Sequence, residues 1–532
     1  MQTEYRYRID GRGKSSGEII GEIFEDRGVD IDTFLRPVED DMIELDKLKN
    51  IDKAYNILMN GIAEGKTFCV WADTDVDGLS SGAIMYQYLL HYTNRVEVII
   101  NEGKEHGVKS YPSRDIKADI IIVVDSFNDY EYYESMLQDG KQVIILDHHE
   151  VKDVDKFDNP DIALVSSAND YPNPELSGAG VVWKFCRYID EQELDNEADN
   201  LADLAACGLI ADMCSCLVPE NRYICNLGIN NPRSLVVKQI NGGYPFNAQA
   251  VSFGIAPLMN AAQRMKQNEI ALNAFLSDDV DEVKQLVKQL RDCKVEQGKI
   301  VDELMSEITE QAQTQIDNKV IAVVIETDAD VSGLLGNKLS SIYQRPVLVL
   351  KDDGENYFGS GRGYGVEDFM SVINETGLAR ADGHPNAFGV QIRKEYIEEL
   401  LVELNNAYAD VEFEIKVEAD VLITPDQIDD ALIQNFKACD RISGKGFEPL
   451  TVMIQGVDEY ITGEMSKGKH LKLDFGDFLA IKWNFDGDRT PFEENKRIDI
   501  VGTLTSGYFG KTYFRQLIIQ DWRASDNDAQ EI

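Results

Sequence analysis

Three short apolar runs in the first third of the chain each stop on an aspartate. TFCVWAD ends at Asp73, IIIVVD at Asp125 and VIILD at Asp147. Consecutive β-branched, aromatic and aliphatic residues over so short a span read as buried strands. RVEVII (95–100) and DIALVSS (161–167) supply two more. Between them, LSSGAIMYQYLLHY, YYESMLQDG and AGVVWKFCRYIDEQ carry apolar residues at helical spacing. Such alternation predicts an α/β fold with a doubly wound, mostly parallel sheet. Ligands bind such sheets at the carboxyl ends of their strands. The strand-ending aspartates are therefore expected to meet at one edge.

The turn after the first run is DTDVDG, which places Asp73, Asp75 and Asp77 on alternate positions. An EF-hand calcium loop begins in this way, but it needs Glu at its twelfth position and a helix in front. Here the twelfth residue is Ile84 and a strand precedes the loop. A solvated acidic turn is the plain alternative. A divalent cation would offset the repulsion and give the spacing a purpose. VIILDHHE adds His148 and His149 directly after Asp147, and LADLAACGLIADM adds Asp212. An adjacent histidine pair capping a strand is a more specific signal than a lone histidine. Asp147 is expected to orient an imidazole. An oxygen-rich set with imidazole suits manganese or magnesium better than zinc or iron, and five or more ligands suit two ions. Two such ions serve in-line displacement at phosphorus.

Charge restricts the partners. With 52 Lys and Arg against 95 Asp and Glu, the net charge is −43. Nucleic acid is repelled by such a surface at long range, so a DNA-directed function requires a locally basic channel or bound metal. No run of about 18 apolar residues marks a membrane span, and the N-terminus MQTEYRYRID lacks the apolar core of a signal peptide. The eight cysteines form no C-x-x-C pair, which suits core packing in a reducing cytoplasm.

At 532 residues the chain exceeds one core. Residues 1–66 read as helical and polar. A long helix fits 277–315, and KVIAVVIE and RPVLVLK open a second α/β unit. From about 450 the pattern turns to five short strands with glycine turns, which predicts a small barrel. There Lys467, Lys469 and Lys472 stand near Trp483, Phe485, Tyr508, Phe509 and Tyr513. Cations beside aromatics can form a stacking platform for unpaired bases, though aromatics in a core and solvated lysines are equally ordinary. The tail SDNDAQEI reads as unstructured.

DTDVDG, VVDS, LDHH and GLIADM, in that order, resemble the four motifs of the DHH phosphoesterase superfamily. VSFGIAPLMNAAQRM, DVSGLLGNKLSSIYQRPVLVL, GSGRGYGVEDF, ADGHPNAFGV and RISGKGFEPL extend the resemblance to RecJ-type nucleases over nearly the whole chain. The resemblance implies four segments: a DHH domain with a helical N-terminal region (1–235), a linker with the long connecting helix (236–316), a DHH-associated α/β domain (317–408) and an oligonucleotide-binding (OB) barrel (409–532). It implies a monomeric single-stranded-DNA exonuclease that runs 5′ to 3′ and releases 5′-mononucleotides, with two Mn2+ or Mg2+ ions, in repair or recombination. A single-strand-binding protein or helicase would be its partner.

By motif, Asp75, Asp77, Asp125, His148 and Asp212 would be metal ligands with Asp73 nearby, and Asp125 would bridge. The resemblance implies Asp75, Asp77, Asp125, His148, His149 and Asp212 as the catalytic set. Arg264, Ser360 and Arg362 would hold the terminal phosphate, and His384 and His149 would meet the scissile phosphate. The chain departs from the family at Leu258, where Arg is frequent, at Gln263, where Gly is common, and in lacking Trp-His-x-Gly near ETDADVSG. Two rival readings remain. One is a phosphodiesterase of the same superfamily for cyclic dinucleotides or very short oligonucleotides, against which the barrel argues. The other is a replication scaffold without metals, against which the full set of acidic motifs argues.

Overall fold

The computed structural model describes residues 4–101, 116–413, 416–458, 460–465, 468–485, 487, 492, 496–509, 512–525 and 530–531. Its strands in chain order begin with β1 (Glu4–Asp10), β2 (Phe68–Ala72), β3 (Val96–Ile100), β4 (Ile120–Val124), β5 (Gln142–Asp147) and β6 (Ile162–Ser166). The five strands β2 to β6 form one parallel sheet, ordered β3-β2-β4-β5-β6. The chain leaves β2 toward β3 on one side, then crosses back to β4 on the other. The carboxyl ends of β2 and β4 therefore flank the point where the winding reverses, the usual crevice for a ligand. Strands β2, β4 and β6 are buried at every position, and both faces of the sheet are covered. Val70, Ile122 and Leu146 pack into the main core; Trp71, Val123 and Ile145 pack into a second core on the opposite face.

The long helix occupies Val280–Gln313, about 50 Å at 1.5 Å per residue. Its buried residues, from Val283 through Leu290 and Val301 to Ile308, recur at helical spacing. The first part packs with the main core and the second with the core under a second sheet. That sheet contains β7 (Ile321–Ile325), β8 (Val347–Asp352), β9 (Asn356–Arg362), β10 (Ala379–His384) and β11 (Ala387–Arg393), ordered β10-β11-β9-β8-β7.

The C-terminal strands are β12 (Lys416–Ile423), β13 (Val452–Val457), β14 (Ile461–Met465), β15 (His470–Asp474), β16 (Leu479–Lys482), β17 (Ile498–Phe509), β18 (Thr512–Ala524) and β19 (Gln530–Glu531). They do not stand alone as five barrel strands. Their sheet is nine-stranded and open among the described residues, in the order β14-β15-β16-β18-β17-β13-β12-β1-β19. Two observations correct the sequence reading. Residues 4–10, expected to be helical, are extended, and β1 pairs in parallel with β12 more than 400 residues away. Within the tail expected to be unstructured, Gln530 and Glu531 pair with Arg6 and Tyr7. Parallel pairing leaves no hairpin signature in the sequence, which is why β1 escaped notice. No helix of the described residues is long and apolar enough to cross a membrane.

Candidate metal centre

The acidic turn after β2 runs directly into the helix Val76–Leu89. Asp75 caps this helix: its Oδ1 accepts the Gly78 N–H at 3.0 Å. Gly78 is required for closeness, because a Cβ there would stand 2.5 Å from the Asp73 carbonyl carbon. Asp77, on the first turn of the helix, is 2 % exposed. Its two carboxylate oxygens accept the Gly178 N–H at 2.7 Å and the Ala179 N–H at 3.0 Å. Those donors are the first residues of the helix Gly178–Glu193, whose positive dipole end stabilises an anion.

Asp125 follows β4 with φ +52°, a left-handed conformation that Asp tolerates better than most residues. Its amide donates to the Leu146 carbonyl at 3.0 Å. His148 follows β5 and points among the carboxylates. Its Nε2 lies 3.1 Å from Asp125 Oδ1 and 3.9 Å from Asp77 Oδ2, and its Nδ1 lies 3.8 Å from Asp212 Oδ2. Asp212 ends the buried helix Ala202–Ala211. Three groups of donor atoms result, each close enough to enclose an ion: Asp73, Asp75 and Asp125; Asp77, His148 and Asp212; and Asp125, Asp147, His148 and His149. Asp125 and His148 each belong to two of them.

Small residues from distant segments create this convergence. A Cβ on Gly178 would stand 2.5 Å from Asp125 Oδ1, and one on Gly208 would collide with Asp77 Oδ1. Sequence reasoning missed both glycines, and the Gly178 and Ala179 amides with them. Nothing local marks them, since their role is to leave room for a carboxylate fixed more than 50 residues earlier.

Electrostatics show what the cluster lacks. Burial, then the charges of Asp73 and Asp77, push Asp75 up to about 6. Burial and the same neighbours hold Asp125 well above the ordinary carboxylate range, and burial with Asp77 raises Asp212. Oδ1 of Asp125 is buried and receives no properly directed hydrogen bond, although His148 is near. Oδ2 of Asp147 is likewise buried without a partner. Orphaned carboxylate oxygens cost free energy, and a divalent cation is the ligand that would satisfy them. The donor groups are carboxylates with one or two imidazoles; the Cys214 thiol lies 3.6 Å from Asp212 Oδ2 but belongs to none of the groups among the described residues, and burial pushes it up toward its neutral form, so the set suits Mn2+ or Mg2+.

His149 behaves differently from its neighbour. Its Nδ1 lies 2.8 Å from Asp147 Oδ1, and its side chain is 55 % exposed. That hydrogen bond raises His149 to about 9 against the cost of burial. On Asp147 burial acts upward, but the imidazoles outweigh it and hold the carboxyl below its usual value.

The arginines expected to hold phosphate come from two segments. Arg264 ends the helix Ala256–Arg264, and its Nε is buried without an acceptor. Arg362 ends β9; its Nε donates to Asn337 Oδ1 at 2.6 Å and its Nη1 to the Gly361 carbonyl at 2.7 Å. Burial lowers both guanidiniums, and the charge of Arg264 lowers Arg362 further. Ser360 Oγ lies 2.9 Å from Ser332 Oγ. Gly333 lets Arg362 approach, since a Cβ there would stand 2.5 Å from Nη2.

The remaining expected contacts are more dispersed. His384 stands exposed at the end of β10, across the hairpin from Ala387, and joins none of the carboxylate groups. Lys467 lies outside the described residues. Lys469 is exposed, and Lys472 is half-buried with its Nζ 3.5 Å from Asp474 Oδ2. Trp483 is 46 % exposed and meets His470 edge-on at 4.8 Å, and Tyr508 is 74 % exposed beside Tyr513. Phe485 packs against the main core. The side chain of Phe509 lies outside the described set.

A doubly wound sheet bearing a buried carboxylate–imidazole centre suits a protein that binds divalent metal, a class that includes hydrolases acting at phosphorus. Comparison with known proteins narrows the class. Residues 67–209 match the DHH family N-terminal domain. The chain is 30 % identical over 453 residues to a protein named as the SPbeta prophage-derived single-strand DNA-specific exonuclease YorK of Bacillus subtilis, covering 77 % of each. It is 26 % identical over 529 residues to the single-stranded-DNA-specific exonuclease RecJ of Bacillus subtilis, covering 93 % of this chain and 66 % of that one. Its fold matches RecJ of Thermus thermophilus in complex with Mn2+ with a TM-score of 0.80 at 21 % identity, over 100 % of this chain and 81 % of the other, and the Mg2+ complex with 0.75. The chain belongs to the RecJ-type single-strand-DNA-specific exonucleases of the DHH superfamily. With that membership goes the enzyme class, a metal-dependent hydrolytic nuclease.

Proposed function

We propose that this chain degrades single-stranded DNA from its 5′ end, hydrolysing phosphodiester bonds to release 5′-mononucleotides during repair or recombination. The observation that carries this reading is the sharing of Asp125 and His148 between adjacent donor groups, an arrangement suited to two neighbouring ions. In this reading Asp73, Asp75, Asp77, Asp125, His148 and Asp212 would hold the ions, with Asp125 as a ligand common to both. When bound, the ions would neutralise the carboxylates, acidify the attacking water and stabilise charge on the departing 3′ oxygen.

The chain's own residues do the rest. Gly178 and Ala179 fix Asp77 through backbone N–H groups, so its oxygens cannot swing away from the centre. Asp147 orients His149 through its hydrogen bond and favours its charged form, leaving an exposed edge for a phosphate oxygen. The charge of Arg264 acts unfavourably on Arg362, and a 5′ phosphate would offset it, binding the guanidinium donors with Ser360. His384 would meet the backbone near the scissile bond after the strand enters. Lys467, Lys469, Lys472 and Trp483 would carry the strand further along the C-terminal sheet, in the role the expected OB barrel would have filled. The four segments 1–235, 236–316, 317–408 and 409–532 would thus divide the work into metal centre, linker, anion holder and strand platform.

We assign the chain to a reducing cytoplasm, a reading supported by eight cysteines without a disulfide, and read it as a monomer. The net charge of −43 favours weak, salt-sensitive DNA binding and help from a single-strand-binding protein or helicase. Digesting 5′-labelled and 3′-labelled single strands with Mn2+ tests the reading. Labelled mononucleotide should appear at once from the first, while the second should shorten progressively. The opposite pattern, or cutting that ignores strand length, would contradict it.

A further inference from the structure

The residue before Arg264 makes a contact that the proposed reaction does not explain. Gln263 is 6 % exposed and Thr74 is 2 % exposed, and Gln263 Nε2 donates to Thr74 Oγ1 at 2.8 Å. Thr74 lies between Asp73 and Asp75 in the acidic turn. Gln263 lies in the last turn of the helix that ends with Arg264. The link continues beyond that helix: the Arg264 carbonyl accepts the Asp330 N–H at 3.3 Å. Two residues later Ser332 Oγ meets Ser360 Oγ at 2.9 Å. A connected path therefore runs from the carboxylate turn on the first sheet to the serine and arginine on the second. Its step nearest the carboxylates is one buried amide–hydroxyl hydrogen bond.

We propose that Gln263 is a positioning residue that sets the spacing between the metal-holding turn and the phosphate-holding arginines, and so decides which phosphodiester bond is cut. The inference rests on the functional reading above. A side chain that tethers two groups acting on one substrate controls alignment more than affinity. Misplacement by about 1 Å costs on the order of 10²-fold in rate. Neither Gln263 nor Thr74 needs to touch substrate or ion for this. Removing the hydrogen bond should leave both half-sites intact and loosen their separation. The cut would then fall at the second bond as well as the first.

The test uses the full chain with Mn2+ and a 5′-phosphorylated single strand, with products resolved by length. Thr74→Val and Gln263→Met each remove the bond with little change of shape. Each should lower kcat by about 10- to 100-fold, leave KM for the strand within a few-fold, and raise the dinucleotide fraction among first products. Thr74→Ser retains the hydroxyl and should restore mononucleotide release. The double variant Thr74→Val/Gln263→Met should be no worse than either single one, because both remove the same bond. Mononucleotides released by both singles in wild-type proportion, or losses that multiply in the double variant, would overturn the proposal. A wild-type protein that leaves single strands intact would instead overturn the functional reading beneath it. Thermal melting in Mn2+ controls for folding; if Gln263→Met unfolds, Thr74→Val against Thr74→Ser still decides.

Discussion

At the edge of the first sheet Asp77, Asp125 and Asp212 lie within 4 Å of the His148 imidazole, and Asp73 and Asp75 group with Asp125; near the second, the charge of Arg264 acts on Arg362. Both regions gather like charges and both hold them partly out of water. In the proposed reading a ligand of opposite sign would relieve each, cations for the first and phosphate for the second. Their construction differs, however. The carboxylates sit on strand ends and helix starts of one sheet, with backbone N–H groups clamping Asp77. The arginines come from a helix end and a strand end in separate parts of the chain. The first site is thus fixed within one sheet, whereas the second depends on how two units are joined. Damage to the first should stop chemistry, and damage to the second should blur which end or bond is chosen.

The largest expected effect breaks the first region. Asp125→Ala should reduce cleavage by roughly three orders of magnitude or more, since the ions contribute several kcal/mol to the transition state. Binding of single strands, measured by fluorescence anisotropy, should stay within a few-fold. Arg362→Ala targets the second region. The rate ratio between 5′-phosphate and 5′-hydroxyl strands should fall by about 10- to 100-fold, as expected for a lost charge-assisted hydrogen bond.

A pH series sharpens the electrostatic contrast. Without ions, Asp75 is raised from 3.8 to about 6, so its favourable contribution to folding is complete below about pH 4 and is lost as pH rises through 6. Ions need the deprotonated form, so Mn2+ should raise the melting temperature more at pH 7.5 than at pH 5. Asp75→Asn, melted without ions, should lack that portion of the decline. The smallest effect is Lys472→Ala. Affinity for single strands should weaken by about two- to three-fold, and the salt slope should drop by about one ion, because Lys472 already lies near Asp474.

How much of this was legible in the sequence follows the same contrast. Asp73, Asp125, Asp147 and His148 were expected together because strand ends of one parallel sheet share an edge and apolar runs mark those ends, and the DTDVDG spacing added Asp75 and Asp77; the structure brings these side chains close. Gly178 and Gly208 were not, because a missing Cβ has meaning only once the facing carboxylate is placed. Strand β1 was not, since a polar-looking segment became half-buried only through pairing with β12 across the chain. The five late strands were recognised individually, but their sheet order depends on β1 and β12, which no local pattern announces. Gln263 stood out only as a departure; its reach to Thr74 is a property of the folded chain.

In the proposed reading Asp125 would be shared by two neighbouring cations. Anomalous diffraction at the manganese edge, from crystals grown with Mn2+, measures it directly. The account predicts two peaks at the carboxyl ends of β2 and β4, both within bonding distance of Asp125. A single peak away from Asp125, or none in that cleft, would contradict it.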